Sequence, residues 1–72
     1  MSGAEIKEFK KYVAQCLVKQ YGMSEIQAFK AVRNSYLSIA LKKDPDYVIH
    51  DTVEEWADYV YNEKNREELL EM

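Results

Sequence analysis

The sequence predicts an all-α fold, a small three-helix bundle forming one domain over residues 1–72. Three observations predict it. Ser2-x-x-Glu5, Ser24-x-x-Gln27 and Thr52-x-x-Glu55 each place a hydroxyl three residues ahead of a Glu or Gln. In this capping-box pattern the hydroxyl accepts from a free backbone N–H, and the Glu or Gln reaches back to the cap residue's own N–H. Each box opens a segment whose apolar residues recur every three and four positions, the helical period. Gly22 and Pro45 then stand where two of these segments must stop.

The first helix is expected over about 5–21. Ile6, Phe9, Val13, Cys16 and Gln20 trace one face, Leu17 widens it, and Lys7, Lys11, Gln15 and Lys19 fill the other. Gly22 ends it, being the residue best able to take the left-handed conformation past a helix end. Only Met23 then precedes the cap Ser24, so this tight Gly22-Met23 turn makes helices 1 and 2 direct neighbours. Helix 2 is expected over about 25–43, with Ile26, Phe29, Val32, Tyr36, Ile39 and Ala40 as its main stripe and Ala28 and Ala31 permitting close approach. Pro45 bars continuation and pushes Asp44 toward extended geometry. Residues 44–51 form the loop, with a single helical turn around Asp46–Ile49. Helix 3 is expected over about 52–66, burying Val53, Trp56, Ala57 and Val60. Beyond Tyr61 the pattern decays, and a frayed tail is expected over 66–72. The predicted core is Phe9, Val13, Leu17, Phe29, Val32, Tyr36, Trp56 and Val60.

Composition narrows the function. Cys16 is the only cysteine, so no disulfide forms within the chain, which argues against a small secreted domain. No apolar run approaches the roughly 18 residues of a membrane span. Glu5, Lys7, Glu8, Lys10 and Lys11 interrupt any secretory leader, so a cytoplasmic protein with no membrane partner is expected. The net charge of −3 conceals a split: residues 1–43 hold eight Lys or Arg against three acids, and residues 44–72 hold two against ten. Such asymmetry marks either an interaction surface or two halves that neutralise each other by packing side by side.

No catalytic constellation is present. His50 is the only histidine, Cys16 falls on an apolar helix face, and neither a Gly-rich phosphate loop nor a nucleophile elbow occurs. The chain is therefore not expected to be an enzyme, to bind a small-molecule substrate or to carry a cofactor. Asp44, Asp46, His50 and Asp51 gather in the loop, but their spacing fits no EF-hand or zinc pattern. They read as turn and cap residues, and no metal is expected.

Two binding readings remain. The sequence favours a protein-interaction module that binds a protein partner or itself through helical faces bearing Tyr and Trp. Its candidate contact residues are Tyr21, Met23, Tyr59 and Tyr61, joined by Leu69 and Leu70 in the tail, because aromatic side chains anchor interfaces at low entropic cost. The alternative is a helix-turn-helix DNA binder whose second helix presents Lys30, Arg33 and Asn34. That register puts Ile26 and Phe29 on the DNA-facing side, where they read bases poorly, and the acidic second half repels phosphate. Burial of both Ile26 and Phe29 would rule it out.

The stretch 18–33, through Tyr21-Gly22-Met23 and then Ala28, Ala31 and Val32, resembles the first half of a ubiquitin-associated (UBA) domain. That family turns between its first two helices at an aromatic- or Met-flanked Gly, then continues with Ser or Thr and an Ala-x-x-Ala-Leu/Val pattern. The resemblance implies a binding patch for a partner protein at Tyr21-Gly22-Met23 and the end of helix 3. The whole chain is similar to short all-helical bacterial proteins of unassigned function. Its Gly22-Met23-Ser24 turn, with a later Asp-Tyr before a Trp-bearing helix, resembles components of toxin–antitoxin pairs and implies an antitoxin-like role.

Overall fold

The computed structural model describes residues 2–71, with side chains through residue 67. The chain is all-helical, with five helices where the sequence predicts three: α1 Gly3–Tyr21, α2 Glu25–Arg33, α3 Tyr36–Lys43, α4 Pro45–Val48 and α5 Val53–Glu71.

Each of the three boxes starts a helix. The Glu5 N–H donates to Ser2 Oγ at 3.2 Å and the Ser2 N–H returns to Glu5 Oε1 at 3.3 Å. The Gln27 N–H donates to Ser24 Oγ at 3.1 Å, and the Glu55 N–H to Thr52 Oγ1 at 3.1 Å. Each bond satisfies a donor that the first helical turn leaves without a partner. Gly22 takes φ 66°, ψ 23°, and its N–H bonds Val18 O at 3.1 Å, closing α1 in the left-handed way.

The predicted second helix, 25–43, is broken at Asn34–Ser35. Ser35 is extended, at φ −91° and ψ 166°, and is buried. Its hydroxyl donates to Val32 O at 2.6 Å, and Ser38 Oγ donates to the same carbonyl at 2.8 Å. Ser35 therefore caps nothing with its own side chain. Glu63 of α5 supplies the cap instead: the Tyr36 N–H points at its carboxylate, 3.1 and 3.2 Å from the two oxygens. A negative charge there also suits the positive N-terminal end of α3.

This break changes which residues are inside. α2 buries Ala28 and Val32, and α3 buries Leu37, Ala40 and Leu41. The predicted core members Phe29 and Tyr36 are about half exposed, as is Ile39, and Ile26 is more so. α2 packs on α1 with Ala28 and Val32 as its buried residues, so Ile26 faces outward and Phe29 lies at the edge, beside Lys7, Lys10 and Lys11 of α1. Phe9 lies half-buried at the core edge, while Val13, Leu17, Val32, Trp56 and Val60 are buried as the sequence predicts. Full burial of aliphatic side chains such as Leu17, Leu37 and Leu41 contributes roughly 1.5–3 kcal/mol each.

The helical turn expected in the 44–51 loop is α4. Asp44 Oδ1 accepts from the Tyr47 N–H at 3.2 Å, and Pro45 sits in the first turn, where its missing N–H costs nothing. Val48 is buried, and its carbonyl accepts from Trp56 Nε1 at 2.8 Å, which ties the turn to α5. α5 extends to Glu71, past the expected end at 66. It packs on α1, so the basic first helix and the acidic last one lie side by side.

Candidate functional site

The large apolar side chains left outside the core fall mainly into two patches. The first lies on α1 and α2. Ile26, Lys30 and Arg33 lie away from the buried Ala28 and Val32 on the α2 cylinder, and Phe29 lies beside Val32 at the edge of the buried face. Ile26 is 72% exposed and Phe29 49%. With Lys7 and Lys10 of α1 they line an open groove of about 630 Å³, and Lys11 continues the basic rim beside Phe29. Glu8 and Glu25 are the acids at its edge. The result is an apolar centre in a net positive frame.

The second patch joins α3, α4 and α5. Tyr36, Tyr59, Trp56 and Tyr47 follow one another as a ladder of rings. Their centroids are 6.4 Å apart for Tyr36–Tyr59, 5.6 Å for Tyr59–Trp56 and 6.5 Å for Trp56–Tyr47. The last two pairs meet edge to face, a favourable arrangement for ring quadrupoles. Trp56 is buried beneath, and the three tyrosines are each about half exposed. Asp51 and Glu55 complete the lining of a hollow of about 260 Å³ with no cation in its wall.

The sequence-predicted contact residues are distributed unevenly over these surfaces. Tyr59 belongs to the ring ladder. Tyr21 and Tyr61 are half-buried and stacked on each other, 3.8 Å between centroids and 6° from parallel. The Tyr21 hydroxyl donates to the Asp58 carboxylate. That hydrogen bond, with burial and the carboxylate's charge behind it, raises the phenol above its ordinary pKa. Met23 is buried among core residues. The side chains of Leu69 and Leu70 lie outside the described residues, as does Met72. Lys30, Arg33 and Asn34 are all exposed on or at the end of α2.

The bundle reading places Ile26 and Phe29 on the buried stripe and only the helix-turn-helix alternative turns them outward; neither anticipates the three lysines of α1 as their frame. The available signal was Ala28-x-x-Ala31, a pair of small residues that lets a helix approach its neighbour. Tyr36, expected in the core, is instead half exposed beside Tyr59 on the ring ladder.

Other chemistry has little support in the geometry. The Cys16 thiol is held above its ordinary pKa, mainly by burial and then by the Glu54 carboxylate, with Lys19 opposing, so little thiolate exists at neutral pH. Asp44 is engaged as the α4 cap. Among the described residues, no three His, Cys, Asp or Glu side chains come together as a metal site, and no helix is long and apolar enough to cross a membrane. No protein-family model, no curated protein and no solved structure matches the chain.

Proposed function

We propose that the chain is a small protein-interaction module that binds a protein partner or itself through its exposed helical faces. One observation carries this reading: Ile26 and Phe29 lie in a basic frame and Tyr36, Tyr47 and Tyr59 in an acidic one, so five of the eight exposed large apolar side chains among the described residues fall into two patches of opposite charge, with Tyr12, Ile39 and Ile49 apart. Contiguous exposed apolar surface with a polar rim is what interaction sites have in common. Half-exposed Tyr around a buried Trp also matches the residue types that dominate binding energy at interfaces. Tyr21 and Tyr61 each give one ring face to the other and so also serve as structural support.

The test uses the intact chain as bait in its native host. A specific partner is retained by the wild type and lost with Phe29→Glu or Tyr59→Glu, each compared only where circular dichroism shows the variant folded. Equal recovery by wild type and both variants sinks the reading. An antitoxin-like role is the same module with a toxin as the retained protein.

A nucleic-acid reading has one observation in its favour. Ile26 and Phe29 are outside the core, so the outer face of α2, with Lys30, Arg33 and Asn34, is free to approach a groove. Fluorescence anisotropy on a labelled duplex separates the two: DNA binding through this face falls steeply with salt and is lost in Arg33→Ala. The apolar centre of the patch favours the protein reading.

A further inference from the structure

Arg33 lines the basic patch and Tyr36 the acidic one, and only the Asn34–Ser35 break separates them in the chain. Three residues of chain reach at most about 11 Å between Cα atoms, so one residue of each patch is anchored close to the other. From this juxtaposition, and resting on the interaction reading above, we infer that each patch is covered by the other patch of a second copy. The basic α2 face of one chain sits on the acidic ring face of its partner, and the reciprocal contact closes a two-fold dimer with its axis near the break.

Charge and symmetry support this occupant. The frame around Phe29 is net positive, while the ring face carries Asp51 and Glu55 and no cation. A contact of like with like would set Lys30 and Arg33 against their own copies, whereas the crossed arrangement opposes unlike charges. Ile26 and Phe29 gain an apolar floor in the exposed tyrosines, and Arg33 gains ring faces over which a guanidinium is attracted. Two unlike patches satisfy the rule of a two-fold contact, in which each residue pair occurs twice. A standard interface takes about 800 Å² from each partner, roughly a sixth of the 5158 Å² this chain exposes.

Sedimentation equilibrium on the full chain tests it. At low salt the expected mass is twice 8.5 kDa, falling toward one copy near 1 M salt, where the Debye length is about 3 Å. Phe29→Glu raises the dissociation constant about thirty-fold, the effect of losing an interface anchor, and Phe29→Ser serves as a second variant if the first folds poorly by circular dichroism. Arg33→Asp and Asp51→Arg each weaken the dimer, and the two together restore it, because each crossed pair regains opposite charges. A monomeric mass at every concentration overturns the inference. So does a mass that climbs past two copies, or a double variant no tighter than the weaker single. A monomer whose Phe29 face retains duplex DNA overturns it in favour of nucleic acid. A monomer that still retains a host protein through Phe29 or Tyr59 overturns the dimer alone and leaves the interaction reading standing.

Discussion

The turn at Gly22 and the break at Asn34–Ser35 do the same job by opposite means. Both end one helix and begin the next within three residues or fewer. At the first, the bonds that end one helix and cap the next come from within four residues: the Gly22 N–H to Val18 O, and the Gln27 N–H to Ser24 Oγ. At the second, the starting helix is capped from 27 residues away by Glu63. A joint built from its own neighbours belongs to local sequence, and one built from a distant side chain belongs to the tertiary fold.

The largest effect that separates the joints comes from core residues beside them. Leu37→Ala, just past the break and fully buried, costs about 2–5 kcal/mol by cavity formation. Met23→Ala at the first joint falls at the low end of that range, because part of Met23 reaches the surface and the site can relax. Urea denaturation of both variants checks the order, and a larger loss at Met23 breaks it.

Next comes Gly22→Ala, which costs about 1–2 kcal/mol, the penalty for a side chain in left-handed geometry. No atom lies within 4 Å of where the new Cβ would stand, so the loss reflects backbone alone. Gly22→Asn recovers part of it, and equal melting temperatures for Ala and Asn would contradict this account.

Ser24→Ala and Glu63→Ala each cost about 1 kcal/mol, the usual worth of a cap. Their local signatures differ. Hydrogen exchange speeds up at the Gln27 amide in the first and at the Tyr36 amide in the second. Acceleration of Tyr36 in Ser24→Ala would show that the two joints are coupled.

The smallest effect lies at alkaline pH. Tyr21 has its pKa raised by the Asp58 hydrogen bond, so the folded state holds the phenolic proton more tightly than the unfolded chain. Its stabilising contribution is therefore fully present below about pH 10 and is lost as pH rises through the raised value. In a spectrophotometric titration at 295 nm, Tyr21→Phe removes a late-ionising tyrosine and flattens the alkaline fall in stability.

The contrast also explains what was legible in the sequence. Ser2, Ser24 and Thr52 announced their helices because a capping box is complete within four residues, and Pro45 placed α4 for the same reason. Asn34 and Ser35 carry a weaker local signal. Both are at home in caps and turns, yet the apolar stripe from Ile26 to Ile39 continues across them at helical spacing and favours one long helix. Only Glu63 and the buried Ser35 hydroxyl decide otherwise. The surface followed the same logic. The half-exposed Tyr59 was readable as a contact residue on the last helix. The Ile26–Phe29 patch was not, because its exposure depends on which face of α2 meets α1.

The Glu63 cap also gives the molecule a direction in time. On the ribosome, α1, the Gly22 turn and the start of α2 emerge with all of their stop and start signals in hand. Tyr36 follows without its cap, and for the next 27 residues of synthesis the stripe through Ile26, Phe29, Val32, Tyr36 and Ile39 has no distant carboxylate to interrupt it. Until residue 63 is made, only the Ser35 and Ser38 hydroxyls on Val32 O hold the break. The last helix then brings the Glu63 carboxylate to the Tyr36 N–H and completes the start of α3.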